Sequence, residues 1–384
     1  MIFQFDIIYH ESNKREKGKK EGGTMKILRL ALSISLFLQF VSFGVVPSQD
    51  EVKESWSWLL YRTFTDAELE IHKNKSHIVF AKESVSPFTQ LIFSWNALRP
   101  EKGYFSFLVS AHDSKTNQWG SWHHMIDWGI DIAVSYASKS DGIAHYNFVC
   151  LKMEPENLGD GFRIKAVAHD GACLSALKAC AVSLSDDNKF KAETADHLLS
   201  SLSSVHIRNV PTISQFDLSH PKNKTLCSPT SCSMLTSFLS GKQIDPIEFA
   251  SKAYDNGLSV YGSWPFNMAH AFEVCDGRYW FFTSRLNSFA GLHARLKEGV
   301  PVVVSIRGPL VGAALPHKNG HLLTVVGYDT KKQEVIVHDP AWAKEHGTVR
   351  RYALKHFLEA WERSRRLTYL AQENQLFKLG SPVV

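Results

Sequence analysis

Two stretches with different hydrophobic patterns make up most of the chain. From about residue 76 to 185, apolar and polar residues alternate, as in the segment from Phe162 to Ala166. This is the period of an antiparallel strand with one buried face. Turn-forming residues such as Gly159-Asp160-Gly161 separate the segments. The pattern predicts a β-sandwich, with a flanking helix over 51–60 or 192–204 and with strands at 76–84, 88–97, 103–111, 120–128, 131–137, 144–152, 161–169 and 177–185.

From about residue 206 the pattern changes to a mixture of helices and strands. Asp245-Pro246-Ile247-Glu248 is typical of a helix start, and a second helix is predicted from Ser288 to Glu298, ended by Gly299. Apolar strands are predicted at Val302–Ile306, His321–Tyr328 and Glu334–His338. Helices that precede strands indicate an α+β domain. We therefore predict an all-β sandwich domain over 49–205, followed by an α+β domain over 206–384.

The first fifty residues have the layout of a secretory signal peptide. Met25, Lys26 and Arg29 precede an apolar run from Leu30 to Val46. The alternative is a membrane anchor, but no basic cluster follows the run to stop its transfer. We predict a signal peptide over 25–48, an exported protein (periplasmic or extracellular), and no stable membrane span after cleavage. Residues 1–24 fit neither a domain nor a targeting signal, and are interpreted as translated leader upstream of the true start.

Charge and cysteine content narrow the class of protein further. The chain is 44% hydrophobic and 21% charged, which is typical of a globular protein. Its formal net charge is +5, but residues 1–24 contribute +1 and residues 25–48 contribute +2, which leaves +2 on the rest. We therefore predict no nucleic-acid partner. The six cysteines lack zinc-ribbon spacing, and no metal or cofactor is expected. Cys173 and Cys180 are near each other, but no pairing can be deduced.

Cys227 is the candidate nucleophile. The next residues suit a helix start, with Ser228 as the N-cap and Pro229 in the first turn. The helix is predicted to run to about Ser240 and to end at Gly241. At a helix N-terminus the peptide dipoles and free N–H groups lower a thiol pKa. The alternative is an ordinary buried cysteine, so the assignment depends on a nearby base.

His321 is the candidate base and Asp339 its candidate partner. His321 opens an apolar strand that ends in Gly327-Tyr328-Asp329, a flanking pattern that His317, His338 and His346 lack. Asp339 follows the next strand, where a carboxylate can orient the imidazole. Asp329 remains a rival for that role. The order along the chain is Cys, His, Asp, as in other thiol hydrolases.

The three motifs together resemble those of papain-like cysteine peptidases related to the bacteriocin-processing (double-glycine) peptidases. The resemblance covers roughly 206–372 and rests on Cys-Ser-Pro-Thr-Ser, Gly-His-x-x-x-Val-x-Gly-Tyr-Asp and His-Asp-Pro. It implies that Cys227 is the nucleophile, that His321 is the base and later the general acid, and that Asp339 orients His321. It also implies an oxyanion glutamine, matched by Gln215, twelve residues upstream of Cys227 with Ser219–Lys222 looping out. The chain has no Gly-x4-Gly-Lys-[Ser/Thr] run, so processing of double-glycine leaders is not implied.

These features predict an exported cysteine peptidase that hydrolyses peptide bonds through a thioester intermediate. Its substrate would be a peptide, a protein or a cell-wall peptide. One alternative is a catalytically silent papain-like protein that binds a cell-wall or surface partner. Another is a cell-wall peptide amidase or transpeptidase. A carbohydrate or cell-surface ligand is also conceivable for the β-sandwich, on a surface formed by Trp95, Trp119, Trp122 and Trp128; the alternative is that these rings form its core.

Overall fold

The computed structural model describes residues 55–65, 76–195, 202–343 and 347–375. The predicted leader (1–24) and signal peptide (25–48) lie outside the described residues, as does His346, so these stay predictions. No helix in the described part of the chain is both long and apolar enough to cross a membrane.

The first eleven strands form two antiparallel sheets, which we call the β-region. One sheet has the order β1-β11-β3-β9-β8 and the other β2-β10-β4-β6-β7, with β5 paired to β4. The bounds are β1 Ser57–Thr63, β2 His77–Lys82, β3 Gln90–Ala97, β4 Tyr104–Asp113, β5 Gln118–Trp119, β6 His123–Gly129, β7 Ala133–Ser135, β8 Ala144–Asn147, β9 Cys150–Met153, β10 Gly159–His169 and β11 Leu177–Ser185.

Each predicted strand segment contains an observed strand, but two details differ. The segment 144–152 holds two strands, because the chain reverses at Phe148 and Val149, where φ is 48° and 54°. The helix predicted over 51–60 is wrong from Ser57 onward, since β1 pairs along its whole length with β11. Trp58 and Leu60 face one core while Leu59 and Tyr61 face another. Because both faces of β1 are apolar, its sequence does not show the alternation of apolar and polar residues that is typical of a half-buried strand. The other helix position, 192–204, lies partly outside the described residues.

The inner faces of the two sheets share one core, with Trp95 among its largest members. The Trp95 ring lies 4.8 Å from Phe107 and 5.5 Å from Trp128, between ring centroids. Trp95 and Trp128 are both fully buried. These two tryptophans therefore belong to the core and cannot contribute to a binding surface.

Trp119 and Trp122 lie nearer the surface and are covered by cations. The guanidinium of Arg163 lies 4.5 Å from the Trp119 ring and 4.6 Å from the Trp122 ring, and the Lys165 ammonium lies 4.2 Å from Trp122. Such pairs stabilise the sheet through the ring quadrupole. They also occupy ring surface on which a sugar would stack. The structure therefore favours a packing role for all four tryptophans.

The C-terminal part of the chain, which we call the C-terminal region, has five α-helices and one antiparallel sheet in its described residues. The sheet order is β13-β18-β14-β15-β16-β17, with β12 paired to β15. The strands are β12 Val205–His206, β13 Tyr279–Arg285, β14 Val302–Ile306, β15 His321–Asp329, β16 Glu334–His338, β17 Val349–Ala353 and β18 Leu367–Glu373. The helices are α1 Cys227–Ser240, α2 Pro246–Lys252, α3 Trp264–Val274, α4 Phe289–Lys297 and α5 Leu354–Glu362. The predicted elements of this region are all observed.

The β-region and the C-terminal region share buried contacts. Phe266 of α3 lies in the core of the β-region, with its ring 5.7 Å from that of Trp95. The Asn96 side chain donates to the Phe281 carbonyl at 3.0 Å and accepts from its N–H at 2.8 Å. Asp255, fully buried, accepts a hydrogen bond from the Ser135 backbone at 3.0 Å. Pairing of buried polar groups makes this a specific junction. The domain boundary near residue 205 stays a prediction.

Candidate active site

Cys227 is the first residue of α1, which packs across β15. The Ser231 hydroxyl donates to the Leu322 carbonyl at 3.1 Å, and the Thr324 hydroxyl donates to the Ser231 carbonyl at 3.3 Å. The helix ends at Ser240 as predicted, with Gly241 at φ 70°. These bonds hold the helix start, and with it Cys227, against the strand that begins at His321.

The predicted N-cap at Ser228 is wrong. The N-cap position is Leu226, which provides no side-chain cap. The Ser228 hydroxyl lies inside the helix, 2.9 Å from the hydroxyl of Tyr369, and both groups are buried. Tyr369 needs a partner at this depth, so Ser228 does not turn back to the backbone. Leu226 leaves the first turn without a side-chain cap, and Pro229 has no N–H, so the Cys227 backbone N–H is the group available to an anion there.

His321 and Asp339 are joined by a short hydrogen bond. The His321 Nε2 atom lies 2.7 Å from the Asp339 Oδ1 atom. His321 begins β15 and Asp339 directly follows β16, and these two strands are antiparallel neighbours. Asp329 lies at the opposite end of β15, about 26 Å along a strand of this length, where it pairs with Arg351 at 3.4 Å. The geometry therefore selects Asp339 over its rival.

Two further groups donate hydrogen bonds to the Asp339 carboxylate, and a third supports one of these donors. The Tyr352 hydroxyl donates to Oδ2 at 2.7 Å, and the Ala341 N–H donates to Oδ1 at 2.9 Å. Trp342 in turn donates its indole N–H to the Tyr352 hydroxyl at 3.3 Å. Burial would raise the pKa of Asp339, but the His321 charge and these hydrogen bonds hold it below its usual value. The carboxylate is therefore ionised, and Tyr352 is a residue that the sequence motifs did not identify.

Replacement of Tyr352 by phenylalanine tests this support. We expect Tyr352→Phe to cost about 1–3 kcal/mol of folding free energy, because Oδ2 of a fully buried carboxylate loses its donor. Peptidase activity should fall severalfold, with the structure otherwise intact. Chemical denaturation and kcat measure the two effects. Equal stability of variant and wild type would show that the hydroxyl does not support Asp339.

Cys227 and His321 form the reactive pair. Burial would raise the pKa of the Cys227 thiol, but the hydrogen bond from His321 and the imidazolium charge lower it below its usual value. Burial would likewise lower the pKa of His321, but the Asp339 charge and hydrogen bond, with a contribution from Cys227, raise it to about 10. Asp339 occupies Nε2, so Nδ1 is the nitrogen available to the thiol. The stable state is thus a thiolate–imidazolium pair.

Gln215 lies close to Asp339 because the loop between Gln215 and Asn223 is closed by hydrogen bonds between its two ends. Its side-chain amide donates to the Asn223 carbonyl at 3.0 Å, and Asn223 donates to the Phe216 carbonyl at 3.0 Å. The Gln215 backbone N–H donates to the Pro340 carbonyl at 2.9 Å, next to Asp339. The twelve-residue separation from Cys227 is therefore compatible with the site. One N–H of the Gln215 amide is left for an oxyanion, a role that stays a prediction.

The other cysteines are unlike Cys227. All six are free, so Cys173 and Cys180 do not pair. Cys173 is exposed, whereas Cys180 lies in the core of the β-region. Burial raises the thiol pKa of four of them, Cys150, Cys180, Cys232 and Cys275. In contrast to these four, Cys227 is only partly buried and has a lowered thiol pKa.

His317 also lies at the site, although the sequence motifs gave it no role. Its ring is parallel to that of His321, with centroids 4.1 Å apart and an interplanar angle of 6°. His317, His321 and Asp339 bring potential metal-ligand atoms within 4.8 Å of one another. Stacked parallel rings cannot direct their in-plane lone pairs to one ion, and Asp339 already occupies Nε2 of His321. The cluster therefore fits acid–base chemistry better than metal binding.

A thiolate–imidazolium pair oriented by a carboxylate is the arrangement of a cysteine peptidase. Residues 207–369 match the family model described as the Peptidase_C39 like family. This part of the C-terminal region is therefore similar to the C39 cysteine peptidases, which agrees with the resemblance of its sequence motifs.

Two solved structures give weaker similarities. A C39-like peptidase from Bacillus anthracis has 16% identity and a TM-score of 0.35, covering 45% of this chain and 100% of that one. Xylellain, a cysteine protease from Xylella fastidiosa, has 12% identity and a TM-score of 0.31, covering 48% of this chain and 91% of that one. No curated protein matches the chain. The assignment therefore rests on the family match.

Proposed function

We propose that the protein is an exported cysteine peptidase that hydrolyses peptide bonds through Cys227, His321 and Asp339. The observation that carries this proposal is the hydrogen-bonded series from the Cys227 thiol to His321 and on to the buried Asp339 carboxylate. A nucleophile next to a base that a third group orients is the arrangement required for acyl transfer. The signal-peptide pattern at 25–48 supports export.

The reaction follows from the charges of these groups. The Cys227 thiolate attacks the carbonyl carbon, and the negative oxygen is stabilised by the Cys227 backbone N–H at the start of α1 and by the Gln215 amide. His321 donates its proton to the leaving amine as the C–N bond breaks, which leaves a thioester on Cys227. His321 then takes a proton from water, which attacks the thioester and releases the acid and the thiolate.

Selective alkylation tests the activated thiol. We expect Cys227 to react with iodoacetamide at pH 6 at least about tenfold faster than an ordinary thiol, whose pKa is about 8.5. Cys227 should react as the thiolate of an ion pair up to a pH of about 10, where His321 loses its proton. Peptide mapping by mass spectrometry identifies the labelled cysteine, and the exposed Cys173 is an internal reference.

The same preparation is assayed against casein and peptidoglycan. Cleavage of casein would support the peptidase proposal, whereas release of amide-linked fragments from peptidoglycan alone would replace it by the amidase or transpeptidase alternative. Alkylation of Cys227 only as the pH approaches that of an ordinary thiol would favour the catalytically silent alternative. Both assays are run beside Cys227→Ala, which controls for contaminating activity.

A further inference from the structure

The loop between β14 and β15 carries one buried side chain directly onto the catalytic imidazole. Between residues 311 and 320, His317 is the only buried residue, at 8% exposure. Its ring covers one face of His321 at a centroid distance of 4.1 Å. A loop that is otherwise exposed or half-buried buries a side chain only where the contact is specific. The contact here is with the base of the reaction.

The backbone of this loop fixes His317 in its position. The His317 carbonyl accepts hydrogen bonds from the N–H groups of both Gly308 and Gly320, each at 3.0 Å. His317 itself has φ of 43°, in the left-handed region that non-glycine residues rarely adopt. The surrounding structure must offset the cost of that conformation, and such outliers concentrate at functional sites.

The His317 ring carries one nitrogen that no described residue pairs with. Its Nε2 atom is buried and has no hydrogen-bond partner among the described residues. An unpaired buried polar atom costs about 1–3 kcal/mol. Histidine adopts a positive φ more readily than bulky apolar residues do, so it can place a flat ring on His321 from this backbone position.

From this geometry we propose that His317 is a positioning residue for catalysis, whose stacked ring holds the His321 imidazole in line between Asp339 and Cys227. The inference rests on the proposed function. A ring that is hydrogen-bonded at Nε2 can still swing about that bond, which would move Nδ1 away from the thiol. A flat group on one face of the imidazole prevents that motion and keeps water from it.

His317 performs this role as a neutral ring. Burial, together with the positive charge of His321, lowers the pKa of His317 to about 4, although Asp339 acts in the opposite direction. The titratable groups that act on His321 itself are Asp339 and Cys227, and Tyr352 binds the other carboxylate oxygen of Asp339. A neutral ring avoids repulsion of the imidazolium and presents its π face to it.

Two variants separate the stacked ring from the rest of the side chain. His317→Asn tolerates a positive φ but removes the ring, whereas His317→Phe keeps a flat ring and removes both nitrogens. We expect His317→Asn to lower kcat by roughly 10–100-fold with little change in KM, because misplacement of a catalytic group by about 1 Å has effects of that order. His317→Phe should keep kcat within about threefold of wild type but at a lower thermal stability, because a bulky residue is strained at a φ of 43°.

The pH dependence of Cys227 alkylation is the readout that a merely structural role would not change. In His317→Asn, water reaches His321 and weakens the ion pair, so the acid limb of the alkylation profile should move to higher pH. In His317→Phe the profile should stay where it is. His293→Ala removes another buried imidazole, bonded to the Ser203 carbonyl at 2.7 Å, and should leave the profile unchanged.

Each result bears on a different claim. A wild-type protein without an activated Cys227 contradicts the proposed function itself. An activated wild type with an unchanged profile and kcat in a folded His317→Asn overturns the positioning role alone. Equal losses in both variants would assign the effect to the imidazole nitrogens and overturn the role of the stack. Thermal denaturation verifies that both variants are folded.

Discussion

Replacing Cys227 by alanine is expected to abolish peptide hydrolysis, with a loss in kcat of at least about 10⁴-fold. Removal of the nucleophile from a working triad has effects of this size or larger, because the remaining groups cannot form the covalent intermediate. The fold should survive, since alanine suits a helix N-terminus and removes only the sulfur atom. Substrate turnover and trapping of the thioester by mass spectrometry measure the loss.

Cys232 provides the matched control for this substitution. It lies five residues later on the same helix, is fully buried, and has a thiol pKa raised by burial. Cys232→Ala should lower stability by about 1 kcal/mol through a small cavity and leave kcat close to wild type. A Cys227→Ala variant that still hydrolyses peptides would exclude Cys227 as the nucleophile.

The second large effect on kcat is expected from replacement of Asp339. Its size should depend on whether the new side chain can still accept a hydrogen bond from His321. Asp339→Ala removes the acceptor for His321 and leaves the Tyr352 hydroxyl and the Ala341 N–H without a partner. The pKa of His321 should fall from about 10 towards that of an ordinary histidine. We expect a loss in kcat of about 10³-fold, with the alkaline limb of the pH profile displaced to lower pH.

Asp339→Asn should be less harmful than Asp339→Ala, although the pKa of His321 should fall there too, because the Asp339 charge is the main cause that raises it. The asparagine carbonyl oxygen can take the place of Oδ1 and accept from His321 and Ala341, while its NH₂ group donates to the Tyr352 hydroxyl, which is able to accept. Geometry is then kept and only the charge is lost. Equal losses in the two variants would show that the charge dominates.

Asp329→Asn is the control for both Asp339 substitutions. Asp329 ends the same strand that His321 begins, and it pairs with Arg351 at 26% side-chain exposure. A surface pair of this kind contributes little to stability. The Asp329→Asn variant should therefore keep wild-type kcat and an unchanged pH profile. A large loss there would reopen the choice between the two aspartates.

Local sequence patterns predicted the structure correctly where a residue's environment depends on its neighbours along the chain. The alternation in β10 and the glycine that ends α1 depend on near neighbours, and both predictions are confirmed. The prediction for β1 is wrong because its two faces contact different cores, which no local period records. The Ser228 cap is wrong because Tyr369, 141 residues away, takes its hydroxyl.

The sequence by itself determined the order of chemical groups in this protein: a cysteine at a helix start, a histidine at a strand start and an aspartate at the end of the next strand. Only the tertiary structure decided between Asp339 and Asp329, and added Tyr352 and His317. Distances between strand ends depend on sheet pairing, and the ionisation of Cys227 and His321 depends on burial and on each other's charge. Such properties arise only when remote segments meet.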